Sequence, residues 1–168
     1  ENPGAWGVTW EDLTGLDFRH RGLWCYMADG FLTWCRRGAD GFRCDAGYMI
    51  PLPAWQYIIA KVRQQYPDTL FFLEGLGGKL SVTRDMLDRG NFNWAYSELF
   101  QNYDRRSIEH YLPQALEISG CEGLMIHFCE THDNNRLAAT SHTFSRMRTA
   151  LCALASVCGG FAFANGVE

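Results

Sequence analysis

Three stretches of this sequence bring acidic side chains to the ends of apolar runs. In Gly41-Phe42-Arg43-Cys44-Asp45-Ala46, alternation along an extended strand puts Arg43 and Asp45 on one face and Cys44 on the other. A guanidinium beside a carboxylate holds it ionised by direct charge attraction. Glu74 follows Leu70-Phe71-Phe72-Leu73, surroundings that desolvate a carboxyl and push its pKa up. His132 and Asp133 follow the run Leu124-Met125-Ile126-His127-Phe128. Two carboxyl groups with unequal proton affinities can divide a reaction between them, one attacking as the anion and the other moving a proton. Taken singly, each stretch also has a plainer reading. An isolated R-x-D is more often a structural ion pair, and a strand-end glutamate can simply meet a helix N-terminus.

The elements that must position these residues alternate along the chain. Residues 1–22 are rich in turn formers and show little periodicity. Leu23, Trp24, Met27, Phe31, Trp34 and Cys35 then form a helical stripe, closed by Gly38. A strand is expected over 40–44, and a helix from Pro53 carries Trp55, Ile58, Ile59, Val62 and Tyr66 until Pro67 stops it. Residues 69–73 read as a strand covered on both faces. A weaker helix over 82–87, a strand over 92–96, and a helix capped by Asp104 or Ser107 and broken or kinked at Pro113 follow, the last ending at Gly120. A strand over 124–128 precedes a long helix capped by Ser141, with Phe144, Met147, Leu151, Leu154 and Cys158 on its apolar side. Phe161–Phe163 is the last strand. Strand and helix in alternation mean a parallel sheet with crossover helices, with sites at the C-terminal strand ends. Periodicity alone allows a doubly wound sheet or a barrel.

Composition narrows the function classes. The chain has 168 residues and a formal net charge of −4, with no basic run of the kind that marks a nucleic-acid footprint. No apolar stretch is long enough to span a membrane. Seven cysteines, an odd number with no C-x-x-C pair and most of them inside apolar segments, fit reduced thiols in a cytoplasmic setting better than a disulfide scaffold.

The three acidic stretches, in this order, resemble the signature of the α-amylase superfamily, glycoside hydrolase family 13. G-F-R-x-D-A is matched by Gly41 to Ala46, the strand-end general-acid glutamate by Glu74, and F-x-x-x-H-D by Phe128 to Asp133. Leu16-Asp17-Phe18 is similar, more loosely, to a substrate-loop triplet. Gly159, Gly166 and Glu168 match a last family stretch in which Phe161 stands where proline is usual. The resemblance selects the barrel: residues 1–168 would be a single incomplete domain, a partial (β/α)8 TIM barrel of approximately strands 4 to 8, since a complete barrel takes about 250 residues. It implies an α-glucan oligo- or polysaccharide as substrate and a retaining double displacement. Asp45 would be the nucleophile, Glu74 the acid/base and Asp133 the transition-state stabiliser. Arg43, His132, Tyr48 and Asp17 would bind or position substrate. Hydrolysis is the leading expectation; transfer to a sugar acceptor differs only in what accepts the intermediate.

The sequence departs from the family pattern in places. Gly47-Tyr48-Met49 stands where x-Lys-His is frequent after the aspartate-alanine pair, and an upstream D-x-x-x-x-N-H motif is absent, so no residue here supports the structural calcium that the resemblance allows. No other cofactor is expected. The 168-residue chain is expected to be a fragment, inactive by itself. Two other classes stay open. His127, Glu130, His132 and Asp133 could ligate a metal in a metal-dependent hydrolase. A barrel that has lost its chemistry could serve as a carbohydrate-binding protein. Trp10, Tyr48, Trp94, Tyr96 and Phe128 are candidates to stack on sugar faces, although core packing explains each of them as well.

Overall fold

The computed structural model describes residues 2–5 and 7–164. The chain divides into two compact units, Glu1–Phe92 and Asn93–Glu168. Each is a parallel βα assembly, and the fold is that of part of a (β/α)8 barrel. Gly166 and Glu168, singled out from the sequence, lie outside the described residues.

The first unit opens with a small antiparallel hairpin that sequence periodicity did not reveal. Strands β1 (Gly4–Ala5) and β2 (Val8–Thr9) pair Gly4 with Thr9 and Ala5 with Val8, too short for a pattern of period two to register. Helix α1 (Arg21–Arg36) leads to Gly38, whose φ of +98° is the left-handed turn that ends helices. Strand β3 (Gly41–Cys44), helix α2 (Leu52–Arg63), strand β4 (Leu70–Leu73) and helix α3 (Leu80–Asp88) complete the unit. β3 and β4 are parallel and in direct register, from Gly41 with Leu70 to Cys44 with Leu73.

Pleating sorts the residues of these two strands onto two faces. Phe42, Cys44, Phe71 and Leu73 face the helices. There Phe71 packs 5.5 Å from Phe31 of α1 and 5.8 Å from Phe42, and Trp55 of α2 lies 5.0 Å from Phe92, ring centre to ring centre. Ala54, Trp55, Ile58, Ile59 and Val62 make α2 the most completely buried helix face of the unit. The opposite strand face carries Arg43 and Phe72 and, one residue past the strands, Asp45 and Glu74. The expected cover on both faces of β4 holds for the helix side only: Leu70 on the other side is 36 % exposed.

The second unit runs β5 (Trp94–Tyr96), α4 (Arg105–Cys121), β6 (Leu124–His127), the single turn α5 (Leu137–Thr140), α6 (His142–Ala155) and β7 (Gly160–Phe161). β5 and β6 are parallel, as are β6 and β7. Two sequence expectations are corrected here. Helix α4 runs unbroken through Pro113 and Gly120. Both face solvent, where water can take up the carbonyl that the proline leaves unpaired, while Tyr111, Ala115 and Ile118 hold the helix by its buried side. Helix α6 does not bury the stripe through Met147 and Leu154, which are 60 % and 73 % exposed. It buries Ser145, Arg148, Cys152 and Ala155 instead. A polar contact decides this rotation: Arg148 Nη2 donates to the carbonyl of Leu99 at 2.7 Å, and its guanidinium lies 4.8 Å from the Tyr103 ring.

The caps follow from side-chain chemistry. Ser141 Oγ accepts from the Phe144 amide at 3.0 Å, and Asp104 accepts from the Ser107 amide at 3.0 Å. Replacing Ser141 with alanine is expected to lower stability by about 1 kcal/mol. Ile58→Ala, which empties part of the α2 core, should cost about 2–5 kcal/mol. Urea denaturation followed by circular dichroism measures both, and equal losses would contradict this assignment of the core.

Candidate active site

Register builds the first part of the site. Cys44 and Leu73 are the last paired residues of β3 and β4, so Asp45 and Glu74 leave the same end of adjacent strands side by side. The ladder continues past them: the Glu74 amide donates to the Cys44 carbonyl at 3.0 Å, and the Gly47 amide donates to the Glu74 carbonyl at 3.2 Å. Between these bonds the chain turns at Ala46, whose φ of +44° is a left-handed conformation that a residue with a Cβ adopts at a cost. That turn aims the Ala46 amide at the Glu74 carboxylate, which accepts it through Oε2 at 2.7 Å. The Leu76 amide donates to Oε1 at 2.8 Å.

Glu74 is 8 % exposed, and its pKa is raised. Burial is the main cause, opposed by the two backbone N–H groups and the Arg43 charge and assisted by the Asp45 charge. Each carboxyl oxygen keeps a second lone pair, so the amides fix the group's orientation without blocking proton transfer. Asp45 contrasts with it. Its side chain is 75 % exposed and paired with Arg43 Nη1 at 2.6 Å. Tyr48 packs on the loop after Glu74, so closely that a Cβ on Gly78 would lie 3.0 Å from its ring. Arg43, Asp45, Tyr48 and Glu74 are thus gathered at one end of the β3–β4 pair. Asp17, in the same unit, is held by Arg19 through two hydrogen bonds of 2.8 and 2.7 Å, and its pKa is driven far below the carboxylate range by that contact.

In the second unit, β6 ends at His127, and the chain passes Phe128 into the loop 129–136. Phe128 sits 4.8 Å from Tyr96, edge to face, and 4.9 Å from Phe100, stacked. His132 and Asp133 project from the loop, 76 % and 79 % exposed, with His132 Nε2 3.3 Å from Asp133 Oδ2. The Asp133 amide donates to Thr131 Oγ1 at 3.2 Å, and Thr131 Oγ1 donates to Asn134 Oδ1. Beneath them Glu130 is buried. Its Oε2 accepts from the Leu137 amide at 2.8 Å, and its Oε1 lies 2.9 Å from Arg136 Nη2, near enough for direct attraction although not aligned as a hydrogen bond. The sequence reading missed both the amides that hold Glu74 and the part Glu130 plays. Backbone donors leave no residue signature, and Glu130 and Arg136 lie in a loop, where no helix or strand period relates them.

The metal-ligand reading does not survive this geometry. His127 is fully buried, and burial pushes its pKa down to about 4, while His132 and Asp133 point outward. Among the described residues no group of three or more His, Cys, Asp or Glu side chains could hold a metal ion.

No family model matches the chain. Curated proteins do. The α-1,4-glucan:maltose-1-phosphate maltosyltransferase of Cereibacter sphaeroides is 27 % identical over 174 aligned positions, covering 100 % of this chain and 28 % of that protein. Its namesake in Burkholderia pseudomallei is 30 % identical over 118 positions, covering 68 % of this chain and 10 % of that protein. Among solved structures, an α-amylase from Lactobacillus plantarum superposes over 100 % of this chain and 44 % of its own, with a TM-score of 0.74 and 24 % identity. The trehalulose synthase of Pseudomonas mesoacidophila covers 88 % of this chain and 35 % of its own, with a TM-score of 0.69 and 18 % identity. These likenesses support the resemblance to the α-amylase superfamily, glycoside hydrolase family 13.

The chain spans just over a quarter of the Cereibacter relative's length and a smaller share of the Burkholderia one's. No helix among the described residues is long and apolar enough to cross a membrane.

The raised pKa of Glu74 has a linkage consequence. Folding raises its proton affinity above that of the unfolded chain, so the native state binds the extra proton between the ordinary and the raised value. Across that interval stability falls as pH rises. Glu74→Gln should remove this part of the pH dependence of the denaturation midpoint and leave the slope at other pH values unchanged. An identical midpoint-versus-pH curve for the variant would show that burial does not perturb Glu74.

Proposed function

We propose that the protein containing this chain is a retaining α-glucan-active enzyme whose main reaction is glycosyl transfer, with hydrolysis secondary. One observation carries the chemistry: Glu74 accepts from the amide of the residue that follows Asp45, across adjacent parallel strands. Neighbouring strands lie about 4.8 Å apart, on the scale of the 5–5.5 Å or so that separates the two carboxyl groups of retaining glycosidases. Asp45, exposed and paired with Arg43, attacks the anomeric carbon of the donor. Glu74, buried and holding its proton to higher pH, gives that proton to the leaving oxygen. A covalent glycosyl-Asp45 intermediate forms. Glu74, now a base, takes the proton of the incoming hydroxyl as the sugar–Asp45 bond breaks. Asp133, with His132 beside it, binds donor hydroxyls and favours the flattened oxocarbenium-like ring.

The preference for transfer rests on the relatives. Both those described above carry the name of a maltosyltransferase acting with maltose 1-phosphate and α-1,4-glucan, and the first aligns along the whole of this chain. The local departure agrees with a different acceptor side, since Tyr48 and Met49 replace the frequent lysine and histidine and Tyr48 lies against the loop that follows Glu74. The donor would then be an α-maltosyl phosphate and the acceptor the non-reducing end of an α-1,4-glucan.

Incubating the full-length protein with maltose 1-phosphate and maltohexaose should release inorganic phosphate and lengthen the glucan in steps of two glucose units. Asp45→Asn should reduce phosphate release by about three orders of magnitude or more while glucan binding persists. Maltooligosaccharide shortening without phosphate dependence would return the assignment to a hydrolase. Glucan binding with no turnover in either assay would leave a carbohydrate-binding barrel.

A further inference from the structure

We propose that Glu130 is a positioning residue for Asp133, closing residues 131–136 into a fixed loop with Arg136. This rests on the reading of Asp133 as the residue that grips the donor sugar. The side chain of Glu130 is 1 % exposed, and a buried carboxylate is costly unless paired and hydrogen-bonded. Its partners both lie at the far end of the loop: the Leu137 amide at 2.8 Å and Arg136 Nη2 at 2.9 Å. One side chain therefore ties the point where the chain leaves β6 to the point where α5 begins. Above it, the Thr131 hydroxyl accepts from the Asp133 amide at 3.2 Å and donates to Asn134 Oδ1, and the Asn134 amide donates back to the Thr131 carbonyl at 3.4 Å. The Asp133 side chain is less firmly supported: its carboxylate is exposed, and among the described residues its ion-pair partner is His132, itself 76 % exposed, at 3.3 Å. The direction of Asp133 is thus set by its backbone, and its backbone is set by the tie below. Arg136 is 41 % exposed and so provides a route to the same contact that does not disturb the buried end.

The test uses the full-length protein with α-maltosyl fluoride, whose fluoride release reports formation of the glycosyl-enzyme whether water or sugar accepts it. Glu130→Gln and Arg136→Met are each expected to lower kcat about tenfold or more with KM within about twofold, the pattern of an interaction lost in the transition state. The double variant should be no slower than the slower single one. Amides 131–137 should exchange with deuterium faster in both variants, while protection over β6 is kept. Wild-type exchange in this loop, or faster exchange with kcat unchanged, overturns the proposal, as does a double variant whose loss is the product of the single losses. If Glu130→Gln does not fold, Arg136→Met decides by the same two readouts. Asp133→Asn separates the underlying reading: wild-type fluoride release by that variant refutes the role of Asp133, whereas an inactive Asp133→Asn beside a fully active Glu130→Gln refutes only the tie.

Discussion

The contact on which the candidate site depends is the hydrogen bond from the Ala46 amide to Glu74. Parallel register brings the two strand ends together, but register alone leaves side chains free to turn away. The left-handed turn at Ala46 exposes a backbone donor at the point where the Glu74 carboxyl needs one. A conformation that costs a residue with a Cβ about 1–2 kcal/mol is retained at the junction of the nucleophile candidate and the acid candidate. That is where strain is expected to be stored when it orders a site.

The electrostatics of Glu74 are a balance of opposed effects. Two amides and the Arg43 charge favour its anion, while burial and the Asp45 charge favour its neutral form, and burial prevails. The amides therefore matter more for orientation than for acidity. Asp45 stands at the same strand end with little burial and a guanidinium in direct contact. Burial thus raises the proton affinity of Glu74, which fits that group to the acid role.

Much of this was legible in the sequence. Alternation in G-F-R-C-D placed Arg43 with Asp45, and the apolar run before Glu74 gave both its strand and the sign of its pKa shift. Legibility failed where polar contacts govern packing. Met147 and Leu154 look like a core stripe of α6, yet the helix turns to bury Arg148 because a carbonyl and an aromatic ring await that guanidinium. Pro113 looks like a break, yet it sits on the solvent face of a helix anchored by Tyr111, whose hydroxyl accepts from the Glu98 amide at 2.7 Å. Glu130 looked like a metal ligand because composition cannot distinguish a carboxylate facing a cavity from one facing an arginine. The amide donors to Glu74 had no sequence signal at all.

The residue that precedes the departure at Tyr48 and Met49 is held by the same geometry. A Cβ at Gly47 would lie 2.5 Å from Leu73 Cδ1, and the Gly47 carbonyl accepts from the Trp55 indole at 2.8 Å. This position is thus wedged between β4 and α2, and its amide is already spent on the Glu74 carbonyl. The turn that follows has little room to shift, which fixes Tyr48 against Gly78. Within the proposed mechanism, Tyr48 thus stands beside the loop of the acid/base candidate as an uncharged ring with one phenolic hydroxyl, where the family's frequent lysine would bring a full charge to the acceptor side.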